Sequence, residues 1–149
     1  MRVVIDSSVL VGLINPRDLW RKQSLVLRQA LLDAGNELLY FDCVVAEAVS
    51  AAARRLHEKG RASEVKVLMD RLDAQATPAD ITWILPDVPD LYADVLGLIR
   101  SSSGELNFND ALIALACRQR GIPAIASFDT DFDRISWLRR LAQPEDVTP

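Results

Sequence analysis

In the stretch AIASFDTDFDRI, residues 124–135, Asp129, Asp131 and Asp133 stand at alternate positions with Phe128 and Phe132 among them. Carboxylates this close repel one another unless a cation or a cationic side chain sits between them. Three more acids occupy places from which they could join this group. Asp6 closes the first apolar run, Asp110 comes early in a helical pattern, and Glu47 stands alone inside another. Carboxylates gathered in this way form an oxygen donor set suited to Mg²⁺ or Mn²⁺. One or two such ions would supply the missing positive charge and lower the pKa of a bound water.

Each acid also has an ordinary structural role. Asp6 can cap the helix that follows, with Ser7 or Ser8 as alternative caps. Asn107 followed three residues later by Asp110 resembles a capping box, and a carboxylate there favours the helix dipole. The triplet near Asp129 can cap a short helix beginning near Phe132. It also imitates the start of a calcium loop, but Arg134 and Arg140 fall where that loop needs glycine and glutamate. Glu47 shares a face with Cys43, Ser50 and Arg54, opposite a stripe of Val45, Val49, Ala52 and Leu56; such a glutamate is either solvated or lines a cleft. His57, the one histidine, lies in a charged helix end and reads as solvated.

These residues need elements to hold them. β-Branched and apolar runs predict strands at Val3 to Asp6, Leu38 to Phe41, Ile81 to Leu85 and Ala124 to Ser127. Helical patterns cover Ser8 to Ile14, Trp20 to Ala34, Val44 to Lys59, Ala62 to Ala76, Asp90 to Arg100 and Asn107 to Arg120. Such alternation predicts an α/β domain with a mainly parallel sheet. Ligands of these sheets bind beyond the carboxyl ends of the strands, where strand order reverses. Asp6 and Asp129 would meet there if the first and fourth strands are neighbours.

The chain has 149 residues, half of them apolar, which suits a single domain over 1–149. Its 17 basic and 21 acidic residues leave a formal charge of −4, so contact with nucleic acid would depend on local patches. Cys43 and Cys117 read as reduced core thiols. The amino terminus MRVVIDSSVL carries an acid and no small-residue cleavage site, and no apolar stretch reaches the roughly 20 residues that span a bilayer. The expectation is a soluble, cytoplasmic protein with no membrane contact.

VVIDSSVLVGL near the start, the isolated glutamate of FDCVVAEAVSAA, and NFNDALIALACRQRGIPAIASFDTDF near the end together resemble a PIN domain. The likeness is strongest to the small VapC-type ribonuclease toxins of bacterial toxin–antitoxin modules and covers nearly the whole chain in order. It implies a three-layer α/β/α fold with a central, mainly parallel sheet of four or five strands. Ser136-Trp137 stands where many members have a glycine before the last strand, which leaves the fifth strand open.

By this resemblance Asp6, Glu47, Asp110 and Asp129 form an acidic pocket, with Asp131 as a candidate fifth carboxylate and Ser7, Ser8 and Ser127 as supporting hydroxyls. Asp6, Asp110 and Asp129 are the expected ligands of Mg²⁺ or Mn²⁺; Glu47 would hold a second ion or position the attacking water. Hydrolysis in line would leave a 5′-phosphate and a 3′-hydroxyl. Arg54, Arg55, Lys59 and Arg61, with Lys66 beyond them, are candidates for phosphate contacts with RNA, as are Arg118, Arg120, Arg139 and Arg140 elsewhere. Arg134 is placed to neutralise Asp133. The implied partners are a cognate antitoxin and a second copy of the chain. Leu25, Leu27, Leu31 and Leu32, or Val65, Leu68 and Leu72, could serve such interfaces or the core. Two other readings stay open: a non-catalytic RNA-binding or regulatory domain of this fold, and a haloacid-dehalogenase-like phosphohydrolase. The second needs paired aspartates after the first strand, where this chain has Asp6-Ser7-Ser8.

Overall fold

Strands buried on both faces cannot alternate apolar with polar residues, and the central runs here do not. Val3, Val4 and Ile5 are inaccessible to solvent, as are Ala124, Ile125 and Ala126. The computed structural model describes residues 1–147. Its strands β1 (Arg2–Ile5), β2 (Glu37–Phe41), β3 (Ile81–Thr82), β4 (Ala124–Ala126) and β5 (Arg139–Leu141) form a sheet of order β3-β2-β1-β4-β5. Every pairing is parallel.

Among the described residues six helices cover the sheet in a three-layer α/β arrangement: α1 (Ser7–Ile14), α2 (Arg21–Asp33), α3 (Asp42–Glu58), α4 (Val65–Gln75), α5 (Val88–Ser101) and α6 (Phe108–Arg120). α1 packs against α2, α3 and α4, whereas α5 and α6 pack against each other. The α1–α2 approach is close enough that a Cβ on Gly12 would clash with Ser24 Oγ. Gly121 ends α6 at φ +60°, a left-handed conformation that favours glycine. Among the described residues no helix is long and apolar enough to cross a membrane.

Several expectations shift. The third strand is shorter than Ile81 to Leu85, because the buried Asp42 carboxylate accepts from the backbone N–H groups of Ile84 and Leu85 and pulls the chain out of the ladder. The expected helix from Ala62 begins as a 3-10 turn, and α4 starts at Val65. β5 does form. Trp137 donates from Nε1 to the Ala114 carbonyl at 2.9 Å, with the Arg118 guanidinium 5.0 Å from its ring centroid, so the tryptophan itself anchors the entry to that strand.

The buried stripe of α3 runs through Val44, Ala48, Ala52 and Leu56, with Val45 and Val49 only half-buried. Cys43 is buried, as its reading as a core thiol expects, and it borders the side of α3 that carries Glu47 and Ser50. Both cysteines are free and buried, and burial first of all pushes each thiol up to about 12, so they stay protonated. Leu27, Leu31 and Leu68 are core residues, while Leu25 and Leu32 remain exposed.

Candidate active site

Strand order reverses between β1 and β4, which lie side by side with Ile5 opposite Ala126. The Asp6 backbone N–H continues that ladder, donating to the Ala126 carbonyl at 3.0 Å. The chain then leaves both strands at one edge, carrying Asp6 into α1 and Ser127 and Asp129 into a 3-10 turn (Thr130–Arg134). α6 brings Asp110 to this edge and α3 brings Glu47, close enough for the charges of Asp6 and Asp129 to act on both.

Three of these acids are helix-start residues, and that role orients them. Asp6 Oδ2 accepts from Ser8 Oγ at 2.6 Å, from Ser127 Oγ at 2.7 Å and, more weakly, from the Ser8 N–H at 3.4 Å. Asp110 Oδ2 accepts from the Asn107 N–H at 3.1 Å, while Asn107 Oδ1 accepts from the Asp110 N–H at 3.0 Å, completing a capping box. Asp129 Oδ1 accepts from the Asp131 N–H at 2.9 Å. In each case one carboxylate oxygen is tied to the protein and the other takes part in none of these bonds. The Ser127 hydroxyl also accepts from the Asp129 N–H at 3.0 Å, so one serine sets both Asp6 and the Asp129 backbone.

The electrostatics match this convergence. Burial pushes the Asp110 carboxyl from 3.8 to about 7; the Asn107 N–H opposes the shift, and the charges of Asp6, Asp129 and Glu47 add to it. Glu47 is raised by burial and then by Asp6, with a smaller push from Asp129, against hydrogen bonding from Asn109 and Ser7. Asp6 and Asp110 are only 4% and 7% exposed. Among the described residues no lysine or arginine makes an ion pair with any of the four. Oriented oxygens with uncompensated negative charge fit a hard divalent cation. Among the described residues no three acids, histidines or cysteines are close enough to ligate an ion unaided. The set therefore suits Mg²⁺ held through one or two carboxylates with water completing its shell.

The other expected residues divide. Ser8 and Ser127 bond Asp6, and Ser7 lies beside Glu47. Asp131 is not among the charges that raise Asp110 or Glu47, and its carboxylate stands 3.9 Å from Arg134. Arg134 pairs chiefly with Glu105, leaving Asp133 to Arg140 at 2.8 Å, so the expected Asp133–Arg134 neutralisation is replaced by a pair across the turn. Arg55 pairs with Asp18, Arg61 with Glu64 and Lys66 with Asp70. Arg120 pairs with Asp87, Arg139 donates to the Asp146 carbonyl, and Arg118 sits over Trp137, so these cations are structural. Arg54 makes no ion pair among the described residues and lines a recess with Ser7, Ser8 and Glu47.

Sequence reasoning missed Trp20, Phe128 and Asn109. Trp20 lines that same recess and stacks on Phe128, next to Asp129 in the chain, with centroids 5.0 Å apart. The one signal available was Phe128 itself, an aromatic beside an acid just past a strand.

No curated protein sequence matches the chain significantly. Among solved structures it is similar to VapC20 of Mycobacterium tuberculosis, a toxin that cleaves the sarcin–ricin loop. The TM-score is 0.66 at 19% identity, covering 91% of this chain and 95% of that one, a likeness of fold. The PIN domain family model matches residues 3–138, nearly the whole length, and with the sheet order and the acid-lined strand ends already described, the chain belongs to the PIN domain family.

Proposed function

We propose that this chain is a metal-dependent endoribonuclease of the toxin kind, hydrolysing RNA phosphodiesters at the Asp6, Glu47, Asp110 and Asp129 pocket. The observation that carries the proposal is the charge imbalance: burial and the nearby Asp6 and Asp129 carboxylates raise the proton affinity of Asp110 and Glu47, and among the described residues no protein cation pairs with the four. Asp6, Asp110 and Asp129 are the residues that would hold Mg²⁺ or Mn²⁺, directly or through water. When bound, the ion offsets the pocket's charge, activates water and steadies the oxygen that leaves phosphorus.

The chain's residues do the rest. Ser8 and Ser127 hold the Asp6 carboxylate in one orientation, and Asn107 does the same for Asp110. Glu47, held above the usual carboxylate range, orients the attacking water and is suited to accept its proton. The products are a 5′-phosphate and a 3′-hydroxyl. RNA as substrate draws support from the RNA-cutting toxin of the same fold. Cytoplasmic action, control by a cognate antitoxin and a homodimer are further parts of the proposal, and the exposed Leu25 and Leu32 are available for such contacts. A phosphohydrolase working through a phosphoaspartate is disfavoured, since Ser8 occupies the place of its second aspartate and bonds Asp6.

The test is cleavage of a mixed RNA pool by metal-stripped protein, with and without added Mg²⁺ or Mn²⁺. The expected result is cutting that requires metal and disappears in Asp6→Asn and in Asp110→Asn. Equal cutting by both variants would mark a contaminating nuclease. No cutting by folded wild type on a pool containing structured ribosomal RNA would favour the non-catalytic alternative.

A further inference from the structure

Trp20 is half exposed, at 50%, although it lies in a concave part of the surface. One side of its ring is stacked on Phe128 at an interplanar angle of 22°. The tryptophan lines two recesses of about 310 Å³ each. The first also contains Ser7, Ser8, Glu47 and Arg54, and so is part of the acid pocket. The second leads away from it past Arg17, Lys59 and Arg61, and Asp18 and Arg55 border both.

The ring is held by a built arrangement. Asp18 Oδ1 accepts from the Trp20 N–H at 2.9 Å, and Asp18 Oδ2 pairs with Arg55 at 3.0 Å. The Phe128 N–H donates to Ser8 Oγ at 3.1 Å, and that hydroxyl donates to Asp6 at 2.6 Å. A single serine thus sets both the floor of the stack and a carboxylate of the pocket. Arg61 is engaged by Glu64, but among the described residues Arg17, Arg54 and Lys59 make no ion pair and are exposed. On the opposite side of Glu47 the recess is lined by Cys43, Ala46, Ser50, Leu85 and Asn109, without a cation.

We infer that Trp20 on its Phe128 support is a stacking platform for an unpaired base beside the scissile phosphate, and that the strand continues on that side across Arg54, Lys59 and Arg17. Flat aromatic faces beside unpaired cations are what single-stranded RNA uses: unstacked bases lie on the rings and phosphates meet the cations. A double helix offers no free base face to the ring. This inference rests on RNA being the substrate and adds the side of the pocket occupied and the residues that hold the strand there.

The test measures binding apart from cutting. In an Asp110→Asn background with Mg²⁺, anisotropy of a short fluorescein-labelled single-stranded RNA of mixed sequence is compared with that of the same strand in a duplex. Trp20→Ala should weaken single-strand binding roughly 5- to 100-fold, the range for removal of one base–aromatic stack. Trp20→Phe should restore most of it, and duplex binding should not respond to either change. Arg17→Ala with Lys59→Ala should lower the salt slope by about 0.7 for each phosphate that is no longer neutralised.

Single-strand binding that is equal for tryptophan and alanine, including no binding by either, would overturn the inference. So would an equal weakening on single strand and duplex. Trp20-dependent binding in a protein that never cuts would leave this inference standing while removing the nuclease reading. Cutting whose KM is unmoved by Trp20→Ala would do the reverse.

Discussion

At the scale of single residues, the acids do two things at once. Each capping role expected for Asp6, Asp110 and Asp129 is present, and it is through the capping bonds that the carboxylates are aimed. The capping role and the proposed chemical role therefore use the same carboxylates. Asp110 carries a consequence for pH. Its carboxyl titrates near 7 in the fold against 3.8 as the ordinary value, so between those limits the folded chain holds a proton that the unfolded chain has released. Its contribution to stability must then fall as pH rises from about 4 to about 7 and stay low above that. In EDTA, thermal melts at pH 5 and pH 8 should show Asp110→Asn gaining on wild type at the higher pH, and Mg²⁺ should raise the wild-type Tm more at pH 8 than at pH 5. A gap between the two proteins that ignores pH would contradict the burial and repulsion assigned to Asp110.

At the scale of elements, the start of α6 connects stability to the site. Asn107 Oδ1 accepts from the Asp110 N–H, and replacing an N-cap asparagine by alanine typically costs about 1 kcal/mol. For a chain of this size that is a fall in Tm of roughly 2–4 °C, which Asn107→Ser should largely avoid because serine also caps. Asn107→Ala should in addition weaken metal binding as the Asp110 turn loosens. An unchanged Tm would show the cap to be idle. These starts were legible because caps are local: an acid beside an apolar run needs no knowledge of distant chain. What was not legible depends on contacts made across the fold. Asp42 shortens β3 by capturing N–H groups more than forty residues away, as the spacing of 42 shows. Trp137 rescues β5 through a carbonyl of α6, and Trp20 meets Phe128 only once β1 and β4 are side by side.

At the scale of the whole molecule, a net charge of −4 with an acidic pocket must still admit a polyanion. The distribution answers this: Arg55, Arg61, Arg120, Arg134 and Arg140 are tied into ion pairs, and the cations beside the pocket that make no ion pair among the described residues lie on one flank of α3. Strand order supplies the rest, since only a β1–β4 neighbourhood carries Asp6 and Asp129 to one edge while α3 and α6 deliver Glu47 and Asp110. The adjacency was the step that sequence alone could state only as a condition. The central claim is that acids far apart in the chain share one cation. Calorimetric titration of metal-free protein with Mn²⁺, for wild type and for Asp6→Asn, Asp110→Asn and Asp129→Asn, tests it most directly. Each substitution, alone, should weaken or abolish the same binding event. Mn²⁺ binding that persists unchanged through all three substitutions would contradict it.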